Sequence, residues 1–244
     1  MVATAPAGAP ERRPPQLPRA LAAAGGRFGS KARVERGPGA EPARPPAPSR
    51  NEPAVALLMA DLYLALLHHP VYDKNGAIVT TAVTNMDVHD IGRLARTFDA
   101  RAFYVATPVP TLHRLVERII RHWETGAGAA YNETRKEALA LVRLAHDLDA
   151  AVADIERETG RLPRLVATSA REGPGRLPFA SLRRRLGADV PPELLVFGTG
   201  WGLAAEVIAR ADDVLEPIRG TTGYNHVSVR SAVAIILDRL RNDR

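Results

Sequence analysis

The sequence predicts an α/β domain whose mostly parallel sheet is covered by helices on both faces. Three observations predict it. Strand-length runs (Tyr63–Leu67, Ala102–Ala106, Leu165–Thr168, Leu194–Phe197) recur along the chain with amphipathic stretches between them. These runs are apolar throughout rather than alternating, which is the pattern of strands buried on both faces. The stretch from Val55 onward, about 190 residues, is long enough for one well-packed core, and it contains no internal repeat.

The elements follow in order. Tyr63–Leu67 is a buried run stopped by His68-His69-Pro70, and Asp73-Lys74-Asn75-Gly76 is a turn whose glycine stands where positive φ is wanted. β-Branched Ile78–Val83 reads as a strand. Asp87–Phe98 reads as a helix with Val88, Ile91, Leu94, Ala95 and Phe98 on one face, and Leu112, Leu115, Val116, Ile119, Ile120 and Trp123 mark a stronger one after the strand Ala102–Ala106. Thr125–Ala130 is a Gly/Ala loop. Thr134 and Glu137 form a capping box opening a helix to about His146, and a second helical stretch runs over Leu148–Glu158. Strand Leu165–Thr168, helix Phe179–Leu186, strand Leu194–Phe197, helix Leu203–Ala211, strand Val214–Ile218 and helix Val227–Leu240 complete the series.

The first 52 residues read differently from 53–244. Residues 1–50 hold half of the chain's 20 prolines and nine basic side chains against three acidic ones, with almost no branched apolar residues. Such a segment cannot bury enough apolar surface to offset its ordering entropy, so it is expected to be a disordered basic tail. The apolar patch Leu21–Ala24 is too short for a leader. The net charge of +6 belongs to this tail, because the remaining residues balance 24 basic against 24 acidic groups. The high isoelectric point is therefore no signature of a nucleic-acid-binding fold. The tail reads either as an electrostatic arm for RNA or as a solubilising extension. Absence of cysteine excludes a disulfide scaffold, zinc–thiolate sites and a thiol nucleophile; it fits a reducing cytoplasm. No run reaches membrane-spanning length, and no metal-ligand set stands out.

Three segments carry candidate chemistry. Phe197-Gly198-Thr199-Gly200-Trp201-Gly202-Leu203 lies between strand and helix, where glycines let backbone approach a ligand and a helix N-terminus presents free amides. Gly198-x-Gly200 begins like a dinucleotide fingerprint, with Glu216 at a plausible distance, but Leu203 occupies the third glycine position and too little chain follows for a dinucleotide half-fold. Pro217–Arg230 follows a strand with a Gly/Thr loop, and Asn225, His226 and Ser228 then open an apolar helix; Asn225 or Ser228 could be only a cap. Thr84–Thr97 sits at a strand end. There Asn85 or Asp87 could be an N-cap, and His89, Arg93 and Arg96 recur at i, i+4 and i+7 as a possible proton acceptor and phosphate clamp. Adjacent His68 and His69 point to opposite faces of a strand, so they make no ligand pair.

Together these segments resemble the SPOUT class of S-adenosylmethionine (SAM)-dependent RNA methyltransferases. Asp90-Ile91-Gly92-Arg93-Leu94-Ala95-Arg96-Thr97 is similar to the first motif of the tRNA ribose methyltransferase branch, with Asp90 replacing its asparagine and Arg96 matching its arginine. Leu194–Leu203 is similar to the glycine-rich second motif, in the manner of the tRNA (guanine-N1) methyltransferase branch. Ile218–Val229 is similar to the third, with His226-Val227-Ser228-Val229 where the ribose branch has Asn-Val-Ser-Val. From Tyr63 onward the chain most resembles a small bacterial SPOUT family of uncharacterised RNA methyltransferases, through Ala65–Tyr72, Asn132–Leu139 and Tyr224–Ala232.

The resemblance implies a C-terminal trefoil knot, SAM as cofactor, a homodimer, and tRNA or rRNA methylated at a base nitrogen or a ribose 2′-OH. It implies cofactor contacts from Thr168 and Ser169, from Gly198, Thr199, Gly200, Trp201 and Gly202, and from Ile218, Gly220, Thr221, Thr222, Gly223 and Ser228. The catalytic candidates are Arg96, His226, Asp87 and Asn225. Arg96 stays protonated and suits acceptor positioning better than proton abstraction; the base is left open between His226, Asp87 and Asp90. Arg114, Arg118 and Arg121, and Arg183 to Arg185, are local basic patches for RNA. A SPOUT-fold RNA-binding or cofactor-sensing module without catalysis is the alternative, and an NAD-dependent oxidoreductase a more distant one.

Overall fold

A computed structural model describes residues 61–187 and 190–242. The expected tail over 1–52 lies outside the described residues. A six-stranded, wholly parallel sheet is ordered β5-β4-β1-β7-β6-β8. Its strands are β1 (Leu62–Leu67), β4 (Ala102–Ala106), β5 (Val142–Ala145), β6 (Arg164–Ala167), β7 (Glu193–Gly198) and β8 (Asp213–Val214). A separate antiparallel hairpin, β2 (Val71–Tyr72) with β3 (Ile78–Val79), projects beyond the end of β1.

Both faces are covered, as the unbroken apolar strands require. Alternate residues of each strand point to opposite sides. Leu62, Leu64, Leu66, Phe103, Val105, Leu195 and Phe197 meet α1 (Asn85–Thr97), α2 (Pro110–Glu124), α4 (Glu133–Leu139), α6 (Phe179–Leu186) and α8 (Val229–Arg241). Tyr63, Ala65, Leu67, Tyr104, Leu194 and Val196 meet α5 (Leu148–Thr159) and α7 (Ala205–Arg210). The two cores flank the central strands β1 and β7, which are buried along almost their whole length.

Several expectations are corrected. Thr125–Ala130 is not all loop, because α3 (Ala127–Tyr131) forms there. The helix expected to reach His146 stops at Leu139, and Val142–Ala145 is the edge strand β5. The apolar stretch Ala138–Ala145 has no period that separates helix from buried strand; parallel pairing with β4 decides it. The cap of α4 is Asn132, whose side chain accepts from the Arg135 amide, while the Thr134 hydroxyl donates to Asn132 rather than capping. The strand expected over Ile78–Val83 is two residues long, since Thr81 turns its amide back to the His68 carbonyl. The last strand is Asp213–Val214, not Val214–Ile218; beyond it the Leu215 amide bonds the Ala167 carbonyl and the Glu216 amide the Leu177 carbonyl, and no strand continues. Helix α8 begins at Val229 because Ser228 caps it, its Oγ accepting from the Ser231 amide.

Candidate active site

At the carboxyl ends of β6, β7 and β8 three loops meet over the start of α1. They are the turn after β6 (168–172), the glycine loop after β7 (198–204) and the stretch from β8 to α8 (215–228). Together they enclose a cavity of about 1120 Å³, large enough for a nucleoside-sized ligand plus a second reactant. Open parallel sheets bind ligands at this end.

The cavity gathers most of the residues singled out in the sequence. Thr168, Ser169, Gly198, Thr199, Gly200, Trp201, Gly202, Ile218, Asn225, His226, Ser228 and Asp87 all line it. Gly220, Thr221, Thr222 and Gly223 do not; they form an exposed loop beyond it. Arg96 also lies outside, on the last turn of α1, where its exposed guanidinium pairs with Glu137 at 3.4 Å. His89 faces α2 instead of the cavity: its ring meets Trp123 edge-on at 5.6 Å, and Arg135 covers the same indole at 4.7 Å. Burial and neighbouring Arg135 lower the His89 pKa. His89 and Arg96 therefore meet neighbouring helices rather than the pocket.

Each lining group has a local cause. Thr84 caps α1, accepting from the Asp87 amide and donating to Asp87 Oδ2 at 2.6 Å. Arg230, in the first turn of α8, sits 3.4 Å from Asp87 Oδ1 and 2.9 Å from Asp90 Oδ2, tying the two helices together at the pocket wall. Both Asp87 oxygens are thus engaged. Asn225 donates to the Ala170 carbonyl at 2.8 Å, which ties the third segment to the turn after β6. Glu216, the acidic residue of the dinucleotide reading, accepts from the Phe179 amide at 2.8 Å and pairs with Arg219; it has a structural partner set and is not poised for a ribose. His226 stacks edge-on against Tyr224 at 5.2 Å, and its ring nitrogens carry no hydrogen bond among the described residues.

The glycine loop is shaped by φ. Gly200 (+59°) and Gly202 (+103°) occupy the left-handed region that side chains resist. A Cβ on Gly200 would stand 2.7 Å from the Tyr72 carbonyl, whereas one on Gly202 would meet nothing within 4 Å. The missing side chain of Gly200 therefore serves contact with the β2–β3 hairpin rather than room in the cavity.

Residues the sequence reading did not place here include Tyr72, Thr81, Arg171 and Arg176. Tyr72 lay in a phrase noted only for its resemblance, and Arg171 follows a strand end in a charged, glycine-bounded turn that carries no motif. Beneath the cavity, His68 is fully buried, and burial lowers its pKa to about 4. It is neutral at physiological pH. Among the described residues no group of three or more His, Asp or Glu side chains could hold a metal ion, and no helix is long and apolar enough to cross a membrane.

Residues 61–242 match the sequence profile of a family described as SAM-dependent RNA methyltransferase. The chain is 46% identical over 183 residues to a tRNA (guanine-N(1)-)-methyltransferase of Oleidesulfovibrio alaskensis, a match that covers 75% of this chain and 42% of that protein. The chain therefore spans less than half the length of that relative. An uncharacterised protein of Aquifex aeolicus is 42% identical over 184 residues, 75% of this chain and 90% of its own length. Among solved structures, one described as a methylase family protein from Neisseria gonorrhoeae superposes with a TM-score of 0.52 at 15% identity, covering 78% of this chain and 85% of that one. At that identity the likeness concerns the fold.

Proposed function

The chain belongs to the family of SAM-dependent RNA methyltransferases, and from that premise we propose that it methylates an RNA nucleotide, in tRNA or rRNA, on a base nitrogen or a ribose 2′-OH, with residues 53–244 as the methyltransferase domain. One observation carries the reading: the glycine loop, the turn after β6 and the segment before α8 converge on one cavity, with an apolar wall that includes Ile218 and Val227.

The residues present fit SAM. Gly202 leaves open space where any other residue would project a side chain, and the cavity combines apolar surface for an adenine with polar groups for the rest of the ligand. Bound there, SAM would supply an electrophilic methyl group. Thr168, Ser169 and Gly198 to Gly202 line the space that ligand would occupy. His226 is the proton acceptor in this reading, because Asp87 and Asn225 are already committed to other partners while both its ring nitrogens are open. Arg230 and Asp87 fix the wall against which the acceptor nucleotide aligns. Arg171, at the mouth, has no ion-pair partner among the described residues and can meet a phosphate.

The finer architecture is part of the proposal. The three loops form a trefoil knot, and the enzyme is a homodimer in which Arg96, remote from its own cavity, reaches the acceptor bound at its partner's. Exposed Met86, Trp201, Tyr224 and Val227 near the cavity support a covered surface there. Gly220 to Gly223 would close over the cofactor from their exposed loop. Light scattering should give a dimer at micromolar concentration, and co-expressed Arg96→Ala and Gly202→Val chains should regain activity as heterodimers. A monomer, or no complementation, contradicts the shared site. For the cofactor itself, calorimetry should show SAM binding to the wild type that Gly202→Val abolishes; equal affinity in both would move the site elsewhere.

A further inference from the structure

One phrase of the sequence, Ala65–Tyr72, has no part in the reaction proposed above, yet it ends in a hairpin that grips the glycine loop. Tyr72 does most of the gripping. Its amide donates to the Gly202 carbonyl at 2.9 Å, its carbonyl accepts from the Trp201 amide at 2.8 Å, and its hydroxyl accepts from the Ala205 amide at 3.1 Å. The Ala204 amide donates to the Pro70 carbonyl at 3.2 Å. Gly200 is glycine because its Cα packs on the Tyr72 carbonyl. The hairpin keeps its own shape through Asp73, whose carboxylate accepts from the amides of Asn75 and Ala77, and Gly76 at φ +82°.

Beneath these backbone contacts runs a line of side-chain hydrogen bonds. Thr199 donates its hydroxyl proton to the Leu67 carbonyl at 3.2 Å. Its oxygen lies 2.5 Å from Thr81 Oγ1. Thr81 Oγ1 lies in turn 3.1 Å from His68 Nδ1. A charged imidazole would bring two N–H groups into a buried site, and burial keeps the ring neutral. The line therefore runs from His68 through Thr81 and Thr199 to the end of β1, and Thr81 and Thr199 both face the cavity.

We propose that His68 and Thr81 are positioning residues for the cofactor loop: the 68–81 hairpin is a strap, and the His68–Thr81–Thr199 line locks the loop before any ligand arrives. The lock rests on the reading of the cavity as a SAM site, but its effect on the loop does not. A preset loop spares the ligand the ordering of four or five residues, which is where preorganisation gains affinity. The line supplies position and no chemistry, so loss should appear in cofactor affinity and cofactor KM, with kcat unmoved.

The two tryptophans are Trp123 and Trp201, so in a Trp123→Phe protein the emission comes from the loop alone. In that background Thr81→Val keeps the shape and removes the hydroxyl, while Thr81→Ser restores it. Acrylamide quenching of Trp201 in the ligand-free protein, thermal midpoints, and calorimetric affinity for S-adenosylhomocysteine are compared. The expected result is stronger quenching and about tenfold weaker binding for Thr81→Val, with both recovered in Thr81→Ser, and near-equal melting temperatures for the two variants. Equal quenching and equal affinity in Val and Ser forms overturns the lock, as does a fall in melting temperature alone. If the parent protein binds no S-adenosylhomocysteine, the reading of the cavity fails, and quenching decides the lock without it.

Discussion

The two ends of the parallel sheet use charge in opposite ways. At the amino ends of the strands, Glu193 opens β7 fully buried, and Arg185 reaches it from α6 while also bonding Asp213, the first residue of β8, at 2.8 Å. Arg164, opening β6, adds a 3.2 Å contact to the same Asp213. Burial raises the Glu193 pKa, with Arg185 pulling against it; Asp213 is held below its ordinary value by Arg185 and Arg164, against the opposing effect of burial. Every charge there answers another. At the carboxyl ends, the side chains of His226 and Arg171 line the cavity with no hydrogen-bonded or ionic partner among the described residues. The difference separates scaffold from site. An ion-paired network fixes the strands, while side chains that face a cavity without a partner are available to a ligand.

That contrast can be broken by substitution at either end. The largest effect expected is at the open end: His226→Ala should cut turnover about 10²- to 10⁴-fold, with cofactor affinity held within a small factor in the same protein. A loss of affinity with turnover preserved would move His226 to the binding wall. At the ion-paired end, Glu193→Ala leaves Arg185 with Asp213 as its remaining partner and should cost about 3 kcal/mol of stability in urea unfolding, while leaving affinity for SAM in the surviving folded fraction unchanged. Weaker SAM binding there would mean the two ends are coupled.

Acid should act between these extremes. His68 is held neutral by burial at about 4 against 6.5. The unfolded chain binds its proton first, so stability is fully present above pH 6.5 and declines as pH falls toward 4. The loss attributable to this group approaches about 3 kcal/mol. Melting temperature against pH, wild type beside His68→Asn, should show a steeper acid decline in the wild type; parallel curves would remove His68 from the account. The smallest effect belongs to Ser228→Ala, which removes the α8 cap and should cost about 1 kcal/mol, read in the same unfolding assay. A much larger loss would give Ser228 a role beyond capping.

Strand positions were legible where apolar runs were bounded by turns, as at Tyr63–Leu67 and Leu194–Phe197. They were not legible at Val142–Ala145, where helix and strand share one apolar stretch and only the neighbour β4 separates them. The cavity lining was legible where glycine or a polar cluster interrupted a strand–helix junction, hence Gly198 to Gly202 and Asn225 to Ser228. Arg171, Thr81 and Tyr72 carry no such mark: ordinary residue types, distant in sequence, brought to the cavity by tertiary packing. The helical spacing of His89, Arg93 and Arg96 was correct as geometry, yet helical spacing cannot say which neighbour that face meets, and Trp123 took His89.

The central claim is that this cavity carries methyl transfer to RNA. Its most direct test is incubation of the protein with SAM bearing a tritiated methyl group and total RNA lacking the modification, followed by digestion and mass spectrometry of the labelled nucleoside. The account predicts one labelled nucleoside type with the wild type, none with Gly202→Val, and a trace with His226→Ala. Binding of SAM without label in any RNA, or equal labelling by all three proteins, would contradict it.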